Sequence, residues 1–147
     1  MKTLKNICNE KGEEIYMTRK EFQEFIAKGK MILDGATGSN LQKRGMPTGV
    51  CPEEWILEHP DVLVGLQREY IEAGSDVLYA PTFSGNRIKL EEYGLADQIG
   101  EMNRKLAGLS FEAIRQADTD RQVLVAGDIT MTGQQLYPVG NLPSKSW

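Results

Sequence analysis

Apolar residues recur along this chain in two rhythms, helical stripes and short unbroken runs. Thr18 and Glu21 have the spacing of a capping box, in which each side chain satisfies a backbone N–H at a helix start. Phe22, Phe25 and Ile26 follow at i, i+3 and i+4, and Gly29 is a natural stop, so the spacing predicts a short amphipathic helix. Met31-Ile32-Leu33 predicts a brief buried strand running into the turn Asp34-Gly35-Ala36-Thr37-Gly38-Ser39. Residues 40–58, punctuated by Gly45, Pro47, Gly49 and Pro52, read as irregular. Pro60-Asp61 opens a helix with Val62, Leu63, Leu66 and Tyr70 on its inner side, and Gly74 closes it. Val77-Leu78-Tyr79-Ala80 predicts a second strand, followed by Thr82, Ser84, Gly85 and Asn86. A helical piece runs from Arg87 to Tyr93 and stops at Gly94. A longer helix covers Asp97 to Ala117, with Ile99, Met102, Leu106, Leu109, Ala113 and Ile114 near a 3.6 period. Val123-Leu124-Val125-Ala126 predicts a third strand, leading into Gly127-Asp128-Ile129-Thr130.

Strands that are apolar throughout and alternate with helices predict a parallel sheet under a helical cover, an α/β fold. In such sheets ligands gather at the C-terminal ends of the strands. All three strands here end in loops rich in Gly, Asp, Thr and Ser, so one edge of the sheet collects the useful chemistry. Residues 1–17 form a polar leader without a convincing period, and the domain occupies residues 18–147. Three strands fall short of a (β/α)₈ barrel, which takes eight strands and at least ~200 residues. They would also leave a sheet edge unpaired. The sequence therefore reads as the opening part of a larger domain.

Composition narrows the partners. Among 147 residues, 17 Lys+Arg stand against 21 Asp+Glu, for a net charge of −4. An acidic chain without a basic run argues against nucleic acid or an anionic membrane surface as the main partner. No stretch of ~20 apolar residues is present to span a bilayer. Met1 to Glu14 is charged throughout and lacks the apolar core of a signal peptide, so a cytoplasmic location is expected. The two cysteines, Cys8 and Cys51, form neither a disulfide framework nor a C-x-x-C pair.

Single residues leave the chemistry open. The spacing of Gly35-Ala36-Thr37-Gly38 favours a plain structural turn over a cradle for a ligand, and it is not a G-x-G-x-x-G loop. Asp34, at the end of a buried strand, either caps the turn or holds a cationic ligand group. His59 is the only histidine and has no second histidine for a metal pair, which favours a structural role. Cys51 sits beside Pro52 with nothing near in sequence to lower its pKa, which favours an inert thiol.

Taken together, several blocks carry a family signature. Ile32-Leu33-Asp34-Gly35-Ala36-Thr37-Gly38-Ser39 resembles the opening "LDGAMGT" of the homocysteine S-methyltransferase family. Further blocks follow in the family's order. They are Cys51-Pro52-Glu53-Glu54-Trp55 with His59-Pro60-Asp61-Val62, Tyr70-Ile71-Glu72-Ala73-Gly74-Ser75-Asp76, and Thr82-Phe83-Ser84-Gly85-Asn86-Arg87. Lys89-Leu90-Glu91-Glu92-Tyr93-Gly94-Leu95, Val125-Ala126-Gly127-Asp128-Ile129 and Thr132-Gly133 complete the set, so the likeness covers residues 30–142. It is similar in particular to the homocysteine-binding module at the N-terminus of cobalamin-dependent methionine synthases.

The resemblance implies the N-terminal part, about three βα units, of a (β/α)₈ TIM barrel. In the complete domain it implies a zinc ion on three cysteine thiolates, which binds the homocysteine sulfur as a nucleophilic thiolate. The methyl group would come from cobalamin in a methyl-cobalamin domain, or in relatives from betaine or S-methylmethionine. Asp34 matches the acidic residue that binds the substrate ammonium, and the N–H groups of Gly35 and Ala36 suit its carboxylate. Thr82, Phe83 and Asn86 line the same mouth. Cys8 and Cys51 match no zinc-ligand position, and the turn carries Thr37 and Ser39 where the family often has Met and Thr. Pro143-Ser144-Lys145-Ser146-Trp147 departs from the family where a helix should begin, which suggests truncation or a frame change. Two expectations of different class follow. One is a methyltransferase domain that is inactive by itself; the other is a non-catalytic interaction module or gene remnant, self-associating through its open sheet edge.

Overall fold

The computed structural model describes residues 5–8, 14–130 and 132–141, the segments 5–8 and 14–16 as backbone. Pro143 to Trp147, read above as departing from the family, lie outside the described residues. The leader contains two short strands, Lys5–Cys8 (β1) and Glu14–Tyr16 (β2), which pair antiparallel with the register shifting between Lys5 and Cys8. Strands of four and three residues are too short to show a period, which is why residues 1–17 read only as a polar leader.

Helix α1 (Arg19–Ala27) starts where the capping box predicts. The Thr18 hydroxyl accepts the Glu21 N–H, and the Glu21 carboxylate accepts the Thr18 N–H at 2.7 Å. The expected strand at 31–33 is reduced to a single parallel bridge between Leu33 and Val77. Only a few residues separate Gly29 from the Gly35 turn, so there is room for little more than one rung of the ladder. Its hydrogen bonds are nonetheless in place: Asp34 N–H donates to the Val77 carbonyl at 2.9 Å, and Asp76 N–H donates to Ile32 at 2.7 Å.

Residues 40–58 are irregular only at 44–51. Gly38–Lys43 (α2) and Pro52–Glu58 (α3) are helices. The first carries one buried apolar residue, Leu41, so it shows no stripe. In α3, Pro52 stands in the first turn with Glu53 and Glu54, a favourable helix start. Helix α4 (Pro60–Glu72) leads through Gly74, whose φ of +109° suits a residue without a Cβ, into β3 (Val77–Tyr79). Arg121 clamps this corner, donating to the Ile71 carbonyl at 2.6 Å and to Asp76 at 3.1 Å. Helix α5 (Arg87–Glu91) and a 3₁₀ turn (Ala96–Gln98) precede α6 (Ile99–Gln116) and β4 (Leu124–Ala126).

Strands β3 and β4 run parallel, with Val77, Leu78 and Tyr79 opposite Leu124, Val125 and Ala126. Residues 32–34, β3 and β4 thus lie side by side in chain order, as the alternating pattern predicts. The core sits on one side of this sheet. Leu78 packs with Val64, Ile71 and Ala113, while Leu41, Trp55, Ile56, Leu63, Leu66, Leu90, Met102 and Leu106 fill the helical layer behind it. The opposite face, with Leu33, Val77, Tyr79 and Leu124, meets Phe22 and Ile26 of α1 across a cleft of about 900 Å³. No helix among the described residues is long and apolar enough to cross a membrane.

Candidate functional site

The C-terminal ends of the strands converge on Asp34. Its Oδ2 accepts the Tyr79 backbone N–H at 3.1 Å, and its Oδ1 is buried without a partner among the described residues. Burial pushes the carboxyl up to about 6, the nearby Asp128 adds to the shift, and the Tyr79 N–H opposes it. A carboxylate in this position lacks a cation.

The glycine turn beside it is rigidly braced. Tyr70 donates its hydroxyl to the Ala36 carbonyl at 2.8 Å, and Asn40 donates to the same carbonyl at 2.7 Å and to the Tyr70 oxygen at 2.9 Å. Gly35 and Ala36 are exposed, and their N–H groups bond to no described residue. The turn therefore presents two backbone donors next to a half-buried acid.

Thr82 lies in the loop after β3. Its hydroxyl donates to the Asp128 carbonyl at 2.9 Å and accepts the Asp128 N–H at 3.2 Å. It thus stitches the loop after β3 to the loop after β4 and sets Asp128 near Asp34. Asn86 caps α5, its Oδ1 accepting the Lys89 N–H at 3.0 Å, while its buried Nδ2 has no partner among the described residues. Phe83 is exposed between them. The structure thus links Asp34, Thr82 and Asp128 through the ends of three neighbouring strands, with Gly35 and Ala36 following Asp34 directly.

Three further contributors were not singled out as site residues: Asp128, Glu53 and Asn103. Asp128 was visible as the acid after the third strand. Glu53 lies three residues before the buried Ile56, a spacing that turns it inward. Asn103 carries no signal in the sequence that sets it apart from other exposed-type helix residues. It donates to the Gly85 carbonyl at 2.7 Å.

His59 has a structural place. Its ring stacks on Trp55 with centroids 4.2 Å apart, and Nδ1 lies 2.9 Å from the Trp55 carbonyl.

These features define an α/β domain whose parallel strands end in an acidic, glycine-lined edge. The chain belongs to the homocysteine S-methyltransferase family, whose sequence profile matches residues 31–146. It is 32% identical over 122 residues to betaine–homocysteine S-methyltransferase 1 of Bos taurus, a match that covers 80% of this chain and 30% of that protein. It is 34% identical over 90 residues to methionine synthase of Mycobacterium leprae, covering 56% of this chain and 7% of that one. The chain therefore spans well under half the length of these relatives. Its fold resembles that of the homocysteine methyltransferase MmuM of Escherichia coli in its metallated form. The TM-score is 0.55 at 21% identity, over 74% of this chain and 40% of that one.

A zinc site on thiolates finds no match in the described residues. No three His, Cys, Asp or Glu side chains gather among them. Cys51 is buried with Sγ 3.7 Å from the Glu53 carboxylate, and burial, with Glu53 adding to it, pushes the thiol up. A protonated thiol against a carboxylate is the reverse of what a zinc ligand needs.

Proposed function

We propose that this chain supplies the amino-acid-binding part of a homocysteine S-methyltransferase barrel of the methionine synthase type. Asp34 accepts the homocysteine ammonium, and the N–H groups of Gly35 and Ala36 hold its carboxylate. Phe83 and Asn86 border the amino acid, and Thr82 fixes the loop that carries them. The observation that supports this most directly is the Asp34 carboxylate, with one buried oxygen unpartnered and a second acid close by. An ammonium placed there would satisfy that oxygen and relieve the repulsion between the two acids.

Activation of the thiol by zinc and delivery of the methyl group by cobalamin belong to the complete domain and its methyl-cobalamin partner. The described residues of this chain supply no ligand set for that metal. By itself the chain then binds homocysteine without methylating it. Among the described residues β4 pairs only on its β3 side, which supports a second role, association with another polypeptide through its other edge.

The test is titration of homocysteine into the chain and its Asp34→Asn variant. A charge-assisted hydrogen bond is worth about 1.5–3 kcal/mol, so a loss of roughly 10–150-fold in affinity is expected. Equal affinities would refute the assignment of Asp34.

A further inference from the structure

We propose that Glu53, on α3 and away from the strand ends, is a positioning residue that holds the Thr82–Asn86 loop in its binding shape through the Ser84 backbone N–H. The inference rests on the homocysteine-binding role of that loop. Glu53 is only 2% exposed, and its Oε1 accepts the Ser84 N–H at 2.7 Å across 31 residues of sequence. The other oxygen faces the Cys51 thiol, 3.7 Å away. A carboxylate so deeply buried is costly unless hydrogen-bonded, and here the bond reaches the loop that borders the site.

The loop is held at successive residues by separate elements. Thr82 is bound to the Asp128 backbone, Ser84 to Glu53, and Gly85 to Asn103 of α6. A Cβ on Gly85 would collide with the Asn103 side chain, so the loop and α6 are in close contact there. Asn86 ends the loop by capping α5. Phe83 stands among these anchors, 55% exposed, and its direction is set by the residues on either side. The Ser84 anchor is the one supplied by α3. Removing it frees the backbone next to Phe83 while Thr82 and Gly85 keep their bonds.

The experiment compares Glu53→Gln, Glu53→Asp and Glu53→Ala in the full chain, with two readouts. Hydrogen exchange by mass spectrometry follows the segment containing Ser84, and equilibrium dialysis measures homocysteine affinity. Gln keeps an acceptor of the same reach without the charge, whereas Asp keeps the charge on a stem one methylene shorter. Glu53→Gln is expected to retain both protection and affinity. Glu53→Asp and Glu53→Ala should exchange at least 10-fold faster around Ser84 and bind about 10-fold more weakly, with α4 and α6 still protected. If Glu53→Ala does not fold, the Asp and Gln pair decides.

Faster exchange without loss of affinity would overturn the positioning role. Loss in Glu53→Gln equal to that in Glu53→Asp would overturn it too, because charge rather than reach would then be what matters. A wild-type chain that takes up no homocysteine overturns the underlying function, and with it this role. Binding by wild type that Glu53→Asp leaves unchanged overturns this role alone.

Discussion

Tyr70 lies so close to Gly35 that a Cβ built on residue 35 would stand 2.9 Å from the ring's Cε1 and from its hydroxyl. The turn after Leu33 is thus packed against the last turn of α4, and the missing side chain is what permits the contact. Gly35→Ala must displace the aromatic ring and with it the hydroxyl that holds the Ala36 carbonyl. Overpacking of this kind costs about 1–3 kcal/mol. Tyr70→Phe keeps the ring but removes the hydroxyl, and should cost about 0.5–1.5 kcal/mol. Urea unfolding of the two variants measures both, and Gly35→Ala is expected to be the more damaging.

The elevated Asp34 carboxyl, at about 6, makes a prediction about pH. In the unfolded chain an aspartate titrates near 3.9, so between these values the folded state binds more protons and stability falls as pH rises. Above about pH 6 the ionised group destabilises the free protein, by ~1 kcal/mol once solvent screening is allowed for. Asp34→Asn should therefore unfold later than wild type at pH 7.5 and show little difference at pH 3.5. Homocysteine affinity should run the other way. It should weaken as pH drops below 6 in wild type, because the ammonium needs the ionised carboxylate, and lose that dependence in Asp34→Asn. Thermal melts and titrations across pH 4–8 test both halves.

Helix α1 has no buried residue, so its capping box carries an unusual share of its stability. The Thr18 N–H, more than its hydroxyl, holds the Glu21 carboxylate below the usual range. Thr18→Ala removes the N-cap acceptor and should cost about 1 kcal/mol locally. Exchange within residues 19–27 should accelerate severalfold while α4 and α6 hold their protection.

What the sequence made legible follows from residue spacing. The stripes of α4 and α6 and the unbroken runs at Val77 and Val123 carry enough apolar residues to declare their period, and they lie where expected. The helix at Gly38–Lys43 has one buried apolar residue and Thr37 makes no side-chain cap, so nothing in its sequence separates it from a loop. Asp34 and the glycine turn were visible because a charge directly after an apolar run is anomalous, although Ile32 and Leu33 of that run are exposed rather than buried. The bracing by Tyr70, Glu53 and Asn103 was not, because each acts across 18 to 34 residues of sequence. The bond of the Thr82 hydroxyl to the Asp128 backbone spans 46 residues, a contact that spacing cannot reveal.

The last prediction concerns the chain acting alone. Among the described residues β4 pairs only with β3, so its outer edge, at Val125, offers unpaired backbone groups. Beside that edge lies the 900 Å³ cleft, where Leu33 and Tyr79 of the sheet and Phe22 and Ile26 of α1 remain substantially exposed. An open strand edge next to apolar surface drives association, so size-exclusion chromatography should show oligomers that grow with concentration. Introducing Val125→Lys puts a charge on that edge and should shift the profile toward monomer. A zinc assay on the same fractions should find well below one metal per chain. Methionine should not form from homocysteine with methylcobalamin, betaine or S-methylmethionine as donor. A stable monomer with a sharp unfolding transition would refute the open-edge account, and methionine formation would show that the described residues hold more of the chemistry than their ligand chemistry indicates.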